Sequence, residues 1–232
     1  MKILSDKNNL QILLEDNHII VVNKRVGDIV QGDKTGDKPL SDVVKEYIKD
    51  KYNKPGDVFL GVVHRLDRPT TGIVVFARTS KALVRLNELF KNRETQKTYW
   101  AIVKNKPLKS EDKLVHFMKR NEKNNTSKAH SKEVTDSKIA SLDYKIIKEL
   151  NNYFALEINL HTGRHHQIRA QLSAIGSPIK GDLKYGFDRS NLDGGIHLHA
   201  RKLVFIHPVS KENIIIVAPV PNDVIWNTLS EI

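Results

Sequence analysis

Gly61-Val62-Val63-His64-Arg65-Leu66-Asp67-Arg68-Pro69-Thr70-Thr71-Gly72-Ile73-Val74-Val75-Phe76-Ala77 sets a polar knot between two apolar runs. Each run, 58–63 and 73–77, reads as a short buried strand, because apolar, β-branched stretches bounded by turn residues favour extended chain. The knot places one acid, Asp67, between Arg65 and Arg68, and a turn carrying Pro69 and Gly72 follows at once. Opposite charges nearby favour the ionised form of a carboxylate. Spacing alone leaves two readings open: a structural ion pair at a strand end, or a carboxylate kept for chemistry.

Upstream, the β-branched run Ile19-Ile20-Val21-Val22 predicts a strand, followed by a loop with Lys24 at its tip, free to touch phosphate or water. Residues 32–39 are polar and Gly-rich, hence loop. Val43, Val44, Tyr47 and Ile48 recur at helical spacing behind Ser41, a candidate cap. Downstream, Thr79 or Ser80 can cap a helix whose buried face is Ala82, Leu83, Leu86, Leu89 and Phe90. Lys97-Thr98-Tyr99 leads into the strand 99–103, with Tyr99 at its entrance. Residues 104–136 are rich in Lys and Asn and read as a basic insertion or hairpin, with one short strand around Leu114–Met118. Strands are predicted over 139–147 and 154–160; in the second, Phe154, Leu156, Ile158 and Leu160 alternate with Ala155, Glu157 and Asn159.

A second polar cluster follows, His161-Thr162-Gly163-Arg164-His165-His166-Gln167-Ile168-Arg169. Ile168, Leu172 and Ile175 have helical spacing, and Gly176 with Pro178 marks the stop. The cluster therefore lies at a helix N-terminus, where free N–H groups suit an anion. Its two arginines repel each other unless an acid or phosphate lies between them, and Arg169 is a natural partner for Asp67. The three histidines match metal-ligand spacing only loosely, since Gly163 interrupts them and no acidic or Cys ligand is near in sequence. Strands at 197–206 and 213–218 and a short helix from Pro221 complete an α+β class with a mixed, largely antiparallel sheet.

The chain has 232 residues, no cysteine and a net charge of +11. Cys-based zinc sites, thiolate nucleophiles and disulfides are thus excluded. The charge suits a polyanion such as nucleic acid, or simply a Lys-rich surface. No signal-peptide core or membrane-length apolar run is present, so a cytoplasmic protein without a membrane partner is expected.

Taken together, His64-Arg65-Leu66-Asp67-Arg68-Pro69-Thr70-Thr71-Gly72 resembles the signature of the RluA-type RNA pseudouridine synthases. Val21-Val22-Asn23-Lys24 resembles the first motif of that family, and Lys97-Thr98-Tyr99 its short tyrosine motif. Thr162 to Arg169, followed by Gly176-Ser177-Pro178-Ile179-Lys180-Gly181-Asp182 and Tyr185-Gly186, resembles the third. The resemblance covers nearly the whole chain. It implies a pseudouridine synthase fold, in which a sheet in two subdomains flanks a central catalytic cleft. It also implies isomerisation of uridine in tRNA or rRNA by base flipping, with no metal or organic cofactor. By the same resemblance Asp67, Tyr99 and Arg169 are catalytic, with Asp67 as the essential aspartate and Arg169 its partner. His64, Arg65, Lys97, Arg164, His166 and Gln167 are expected to bind substrate. The expectation is a monomer forming one catalytic domain over 1–232, without a separate N-terminal RNA-binding domain. Departures from the family pattern are Arg25 where proline usually follows the lysine, Thr71 where serine is common, and Gln171 where histidine is frequent. Two other classes stay open. One is a non-catalytic RNA-binding or RNA-folding protein of the same fold, which has no need of the Asp67, Tyr99 and Arg169 set. The other is a metal-dependent hydrolase on the histidines, which lacks acidic ligands.

Overall fold

The computed structural model describes residues 3–33 and 35–229; Lys34 of the predicted 32–39 loop lies outside them. The chain forms two compact units, residues 1–95 with 200–232, and residues 96–199.

The first unit opens with an antiparallel hairpin, β1 (Ile12–Glu15) and β2 (Ile19–Lys24). Asp16 closes its turn by accepting from the backbone N–H of His18 and Ile19 at 2.6 and 2.8 Å. The β-branched run of β2 is completely buried, and each such side chain contributes about 1.5–3 kcal/mol. Helix α1 (Leu40–Lys51) buries Leu40, Val43, Val44 and Ile48. Ser41 does not cap it. Pro39, extended at φ −77° and ψ 152°, is the cap residue, and Ser41 is buried inside the first turn. Strand β3 is only Gly61–Val62, shorter than the apolar run suggested, and pairs antiparallel with β4 (Thr71–Ala77). β4 is buried throughout and also pairs with β2. Helix α2 (Ser80–Asn92) is capped by Thr79, whose Oγ1 accepts from Ala82 N–H at 3.2 Å.

The second unit is built on β5 (Gln96–Val103), β6 (Glu111–Asn121), β7 (Thr126–His130), β8 (Lys138–Glu149) and β9 (Phe154–Leu160). They lie in the order β5-β9-β8-β6-β7, every neighbour antiparallel. The 104–136 segment thus holds two strands of the sheet, β6 running for 11 residues. Helix α3 (Gln167–Ala174) and a 3-10 turn (Leu183–Tyr185) cover one face, where Ala170 and Tyr185 pack on Met118 and Ala140.

The chain then returns to the first unit with β10 (Leu198–Ile206), β11 (Asn213–Val217) and the four-residue α4 (Val224–Asn227). β10 lies beside β4, and β11 pairs antiparallel with β10. Helix α4 starts after Asp223, whose carboxylate accepts from Ile225 and Trp226 N–H, rather than at Pro221. The α+β class and the largely antiparallel sheet agree with the sequence reading.

Candidate active site

Asp67 sits half-buried in a tight turn just before β4. Thr70 N–H donates to Asp67 C=O at 3.0 Å across Pro69. Three further contacts fix this turn. Gly27 N–H donates to Arg68 C=O at 2.9 Å. The Lys24 ammonium, 1% exposed, donates to the carbonyls of Arg25, Arg68 and Thr70 at 3.0, 3.1 and 2.7 Å. His64 stacks on Phe90 with ring centroids 4.8 Å apart, and its Nε2 accepts from Val75 N–H at 3.1 Å. β3 ends after two residues, so this imidazole takes a β4 donor beyond the strand pairing.

One expectation changes here. Lys24 is not a loop-tip cation facing phosphate or water, because a desolvated ammonium needs acceptors and the turn carbonyls supply them. The Nε2 bond of His64 to β4 holds the segment that leads to Asp67. Arg68 also acquires a place. Its Nη1 donates to Asp37 at 2.6 Å and its Nη2 to Thr35 Oγ1 at 2.9 Å. That hydrogen bond and charge hold the Asp37 carboxyl below its ordinary value. Arg65 is exposed to solvent.

Where Arg25 departs from the family pattern, its N–H, which proline lacks, donates to Asp28 Oδ2 at 3.3 Å. Its Nη2 reaches Asn9 C=O at 2.9 Å. Asp28 in turn accepts from Ser5 N–H and Oγ, so the departure ties the N-terminal segment to this loop.

Lys24→Met is expected to cost about 3–5 kcal/mol, because three buried carbonyls lose a charged donor. Thermal melting should record a fall of roughly 10 °C. Gly72, at φ +110°, is a second fixed point. A Cβ there falls 2.4 Å from Ala200 O and 2.6 Å from Ala200 N. Gly72→Ala combines that clash with a left-handed conformation and is expected to cost about 3 kcal/mol or more, read as a lower urea midpoint.

The second cluster gathers around the start of α3. His166, at φ 52°, is the cap residue and carries no side-chain cap bond to the helix. Gln167, 3% exposed, takes over the turn. Its Oε1 accepts from Thr162 Oγ1 at 2.7 Å and from Arg164 N–H at 3.0 Å. Its Nε2 donates to Ser141 C=O at 3.1 Å and to Gln171 Oε1 at 2.9 Å. Both lone pairs and both N–H groups are thus engaged within the protein. Gln167 thereby frames the strand-to-helix turn. Gln171 extends the chain of bonds to Leu114 C=O and His116 Nδ1. Burial pushes His116 below the usual histidine range, which suits an imidazole accepting from an amide.

Arg169, 5% exposed, is clamped by Asp182, 1% exposed. Nε and Nη2 of Arg169 donate to the two carboxylate oxygens at 2.7 and 2.8 Å, and the guanidinium lies 4.9 Å over the Tyr185 ring. Tyr185 Oη bonds His166 Nδ1 at 2.9 Å and accepts from Ser127 N–H at 2.8 Å. His165 stacks on His166 at 3.8 Å and meets Ser127 Oγ at 2.9 Å. Arg164 donates through Nε to Ile139 C=O at 3.1 Å. Tyr99 is buried on β5 opposite Ile158, with Lys97 half-buried before it. His161, for which no acid was near in sequence, meets Asp143 of β8 at 2.6 Å. Among the described residues no three His, Cys, Asp or Glu side chains converge as metal ligands. No described helix is long and apolar enough to cross a membrane.

In the sequence, Asp182 and Tyr185 stand out only as parts of a motif. The pair Asp182 and Arg169 is separated by 13 residues, across a helix end and a Gly-rich loop. The signal available was a lone acid, Asp182, in a loop carrying Gly181 and Gly186, close after a helix carrying an arginine.

Residues 18–174 match the RNA pseudouridylate synthase family. An uncharacterised RNA pseudouridine synthase of Synechocystis sp. is 33% identical over 216 residues, covering 91% of this chain and 66% of the relative. The ribosomal large subunit pseudouridine synthase C of Rickettsia bellii is 33% identical over 218 residues, 91% of this chain and 68% of the relative. The ribosomal large subunit pseudouridine synthase D of Xylella fastidiosa is 33% identical over 228 residues, with coverage of 92% and 67%. The chain therefore spans about two thirds of the length of these relatives. Among solved structures, Human RNA Pseudouridylate Synthase Domain Containing 4 shares the fold with a TM-score of 0.77 and 24% identity, over 94% of this chain and 92% of that one.

Proposed function

We propose that this chain, which belongs to the RNA pseudouridylate synthase family, isomerises uridine to pseudouridine in structured RNA, either ribosomal or transfer RNA. The observation that carries the reading is the Asp67 turn, a carboxylate on a backbone pinned by Lys24, Gly27 and Thr70. Catalytic groups work when held in place before the substrate arrives, and this turn is so held.

The reaction breaks the bond between C1′ of the ribose and N1 of uracil, turns the base, and joins C1′ to C5. The hydrogen on C5 leaves as a proton and N1 gains one, so atoms balance without an oxidant or reductant. The base must first leave its stack, at a cost of a few kcal/mol. An aspartate carboxylate is suited to such chemistry, because it can attack the sugar carbon or the base ring, or remove a sugar proton. It also stabilises positive charge on the ribose, as carboxylates do in glycoside hydrolysis. Asp67 is assigned that role. Tyr99 and Arg169 are assigned to the same reaction, Tyr99 by stacking on the flipped base and Arg169 as the cation whose position Asp182 and Tyr185 fix. Arg65, exposed beside Asp67, suits the RNA backbone or the gap left by the flipped base. Lys97, Arg164 and His166 are assigned to substrate. The net charge of +11 adds phosphate attraction, so affinity should weaken with salt. The reading includes a cytoplasmic monomer.

The test uses RNA labelled with tritium at C5 of uridine, transcribed as large-subunit ribosomal RNA and as a transfer RNA pool. Forming pseudouridine releases one tritium to water for each site. Time-dependent release with the wild-type chain is expected on one of the two RNAs. No release from either, under conditions where the chain binds both, contradicts the proposal.

A further inference from the structure

A cleft of about 560 Å³ opens in the second unit, and none of the residues assigned above lines it. Lys104, Tyr153, Lys180, Phe187, Asp188 and Arg189 line it. Its size falls within the roughly 300–1,000 Å³ of ordinary ligand clefts, but its lining is unusual, with three cations and one acid around two aromatic rings. Tyr153 and Phe187 lie with centroids 6.5 Å apart and planes tilted by 33°. They touch each other, so a flat ligand stacks on an outer ring face rather than between them. Lys180 sits 5.9 Å over Tyr153, and Lys104 sits 6.0 Å over Phe187. Both ammonium groups are therefore gathered onto the rings, where a phosphate can meet them.

The partner that Lys104 holds is exchangeable. Lys104 pairs with Asp188, with side chains 42% and 64% exposed, and so exposed a pair holds weakly. Lys180 donates to Asn191 Oδ1 at 2.6 Å, and Asn191 is anchored through Nδ2 to Gly195 C=O and His197 Nδ1, each at 3.0 Å. The loop that closes the cleft is thus braced from behind, while Arg189 stands exposed at its rim. Lys104 directly follows β5, the strand that carries Tyr99. Tyr99 and Lys104 are five residue steps apart along extended chain, roughly 17 Å at the usual rise, too far for the same nucleotide to occupy both.

We infer that this cleft is an accessory RNA subsite, holding the phosphate and the base of an unpaired nucleotide other than the one modified. The inference rests on the reading of the chain as an RNA-modifying enzyme. Cations that track phosphate beside rings that accept any base are the chemistry by which proteins hold single strands without reading sequence. The subsite contributes affinity and leaves the chemical step unchanged.

The test measures binding of a fluorescent ten-nucleotide oligouridylate to the full chain, for wild type, the pair Lys104→Glu with Arg189→Glu, and Tyr153→Leu. The charge pair is expected to weaken binding about tenfold and to lower the slope of log affinity against log salt by about 1.4, two phosphate contacts at 0.7 each. Tyr153→Leu is expected to weaken binding about tenfold with the slope unchanged, as stacking loss predicts. Single-turnover pseudouridine formation at saturating RNA should stay within twofold of wild type in all of them. Lys104 and Arg189 are exposed, so that variant keeps the fold, which thermal melting verifies. Affinity and slope within twofold of wild type in the charge pair overturn the inference. So does displacement of the oligomer by uridine monophosphate at the oligomer's own concentration, which makes this a free-nucleotide site. Failure of the enzyme reading looks different: no pseudouridine forms with any variant, while the charge pair still weakens oligomer binding.

Discussion

Asp67→Asn is expected to abolish pseudouridine formation, lowering the single-turnover rate at least 10³-fold, on the order of 4 kcal/mol of barrier, while RNA affinity stays within a few-fold. Asparagine keeps the shape of aspartate but neither attacks carbon nor accepts a proton as a carboxylate does. Binding is expected to rest on the many cations of a chain with net charge +11, so replacing one carboxylate oxygen by an amide NH2, with one negative charge lost, changes it little. The turn itself should survive, since the bonds described for it run through backbone carbonyls and the Lys24 ammonium. Melting temperature should therefore change by only a few degrees. A variant that binds normally, melts normally and still releases tritium at the wild-type rate refutes the assignment.

Asp182→Ala is expected to be the most damaging substitution for stability in the second unit, at about 3–5 kcal/mol. The pair of Asp182 with Arg169 is buried on both sides, at 1% and 6% side-chain exposure. The attraction inside such a pair is largely offset by desolvation, so its net worth is small. Removing one partner is different, because the buried guanidinium then loses its two-point contact with the Asp182 carboxylate. At about 2–4 °C per kcal/mol for a chain of this size, melting should drop by roughly 10 °C. The double variant Asp182→Leu with Arg169→Met should recover part of that loss, since apolar side chains of similar volume tolerate burial. Activity separates the two roles. The stability-restored double variant should remain inactive, because it lacks the arginine assigned to the reaction. Full activity in it contradicts that assignment and leaves the pair purely structural.

The elements legible in the sequence were those whose side chains state one environment. β2 and β4 are continuous β-branched runs buried on both faces, and β9 alternates cleanly. β6 was foreshadowed only as a short strand, because its outward positions carry Glu111, Lys113 and Lys119 and its inward ones only Leu114 and Met118. A long strand with a sparse apolar face looks like a solvated loop until its neighbours β7 and β8 are known. The start of α3 was legible, but the work done by its polar residues was not. Gln167, Arg169 and Gln171 are buried polar groups on a short helix, and their partners Ser141, Asp182 and Leu114 come from other parts of the unit. Composition cannot reveal such pairings, since they depend on where the chain returns. The same holds for Lys24, a tip cation in sequence and a buried clamp in the fold.

The chemistry assigned to Asp67 can be tested in cells as well as in solution. Pseudouridine mapping across all cellular RNA should be carried out in a strain lacking the gene and in the same strain supplied with wild type or with Asp67→Asn. One or more pseudouridines should vanish on deletion, return with wild type, and stay absent with Asp67→Asn expressed at equal level. An unchanged map on deletion, or full restoration by the asparagine variant, contradicts the account.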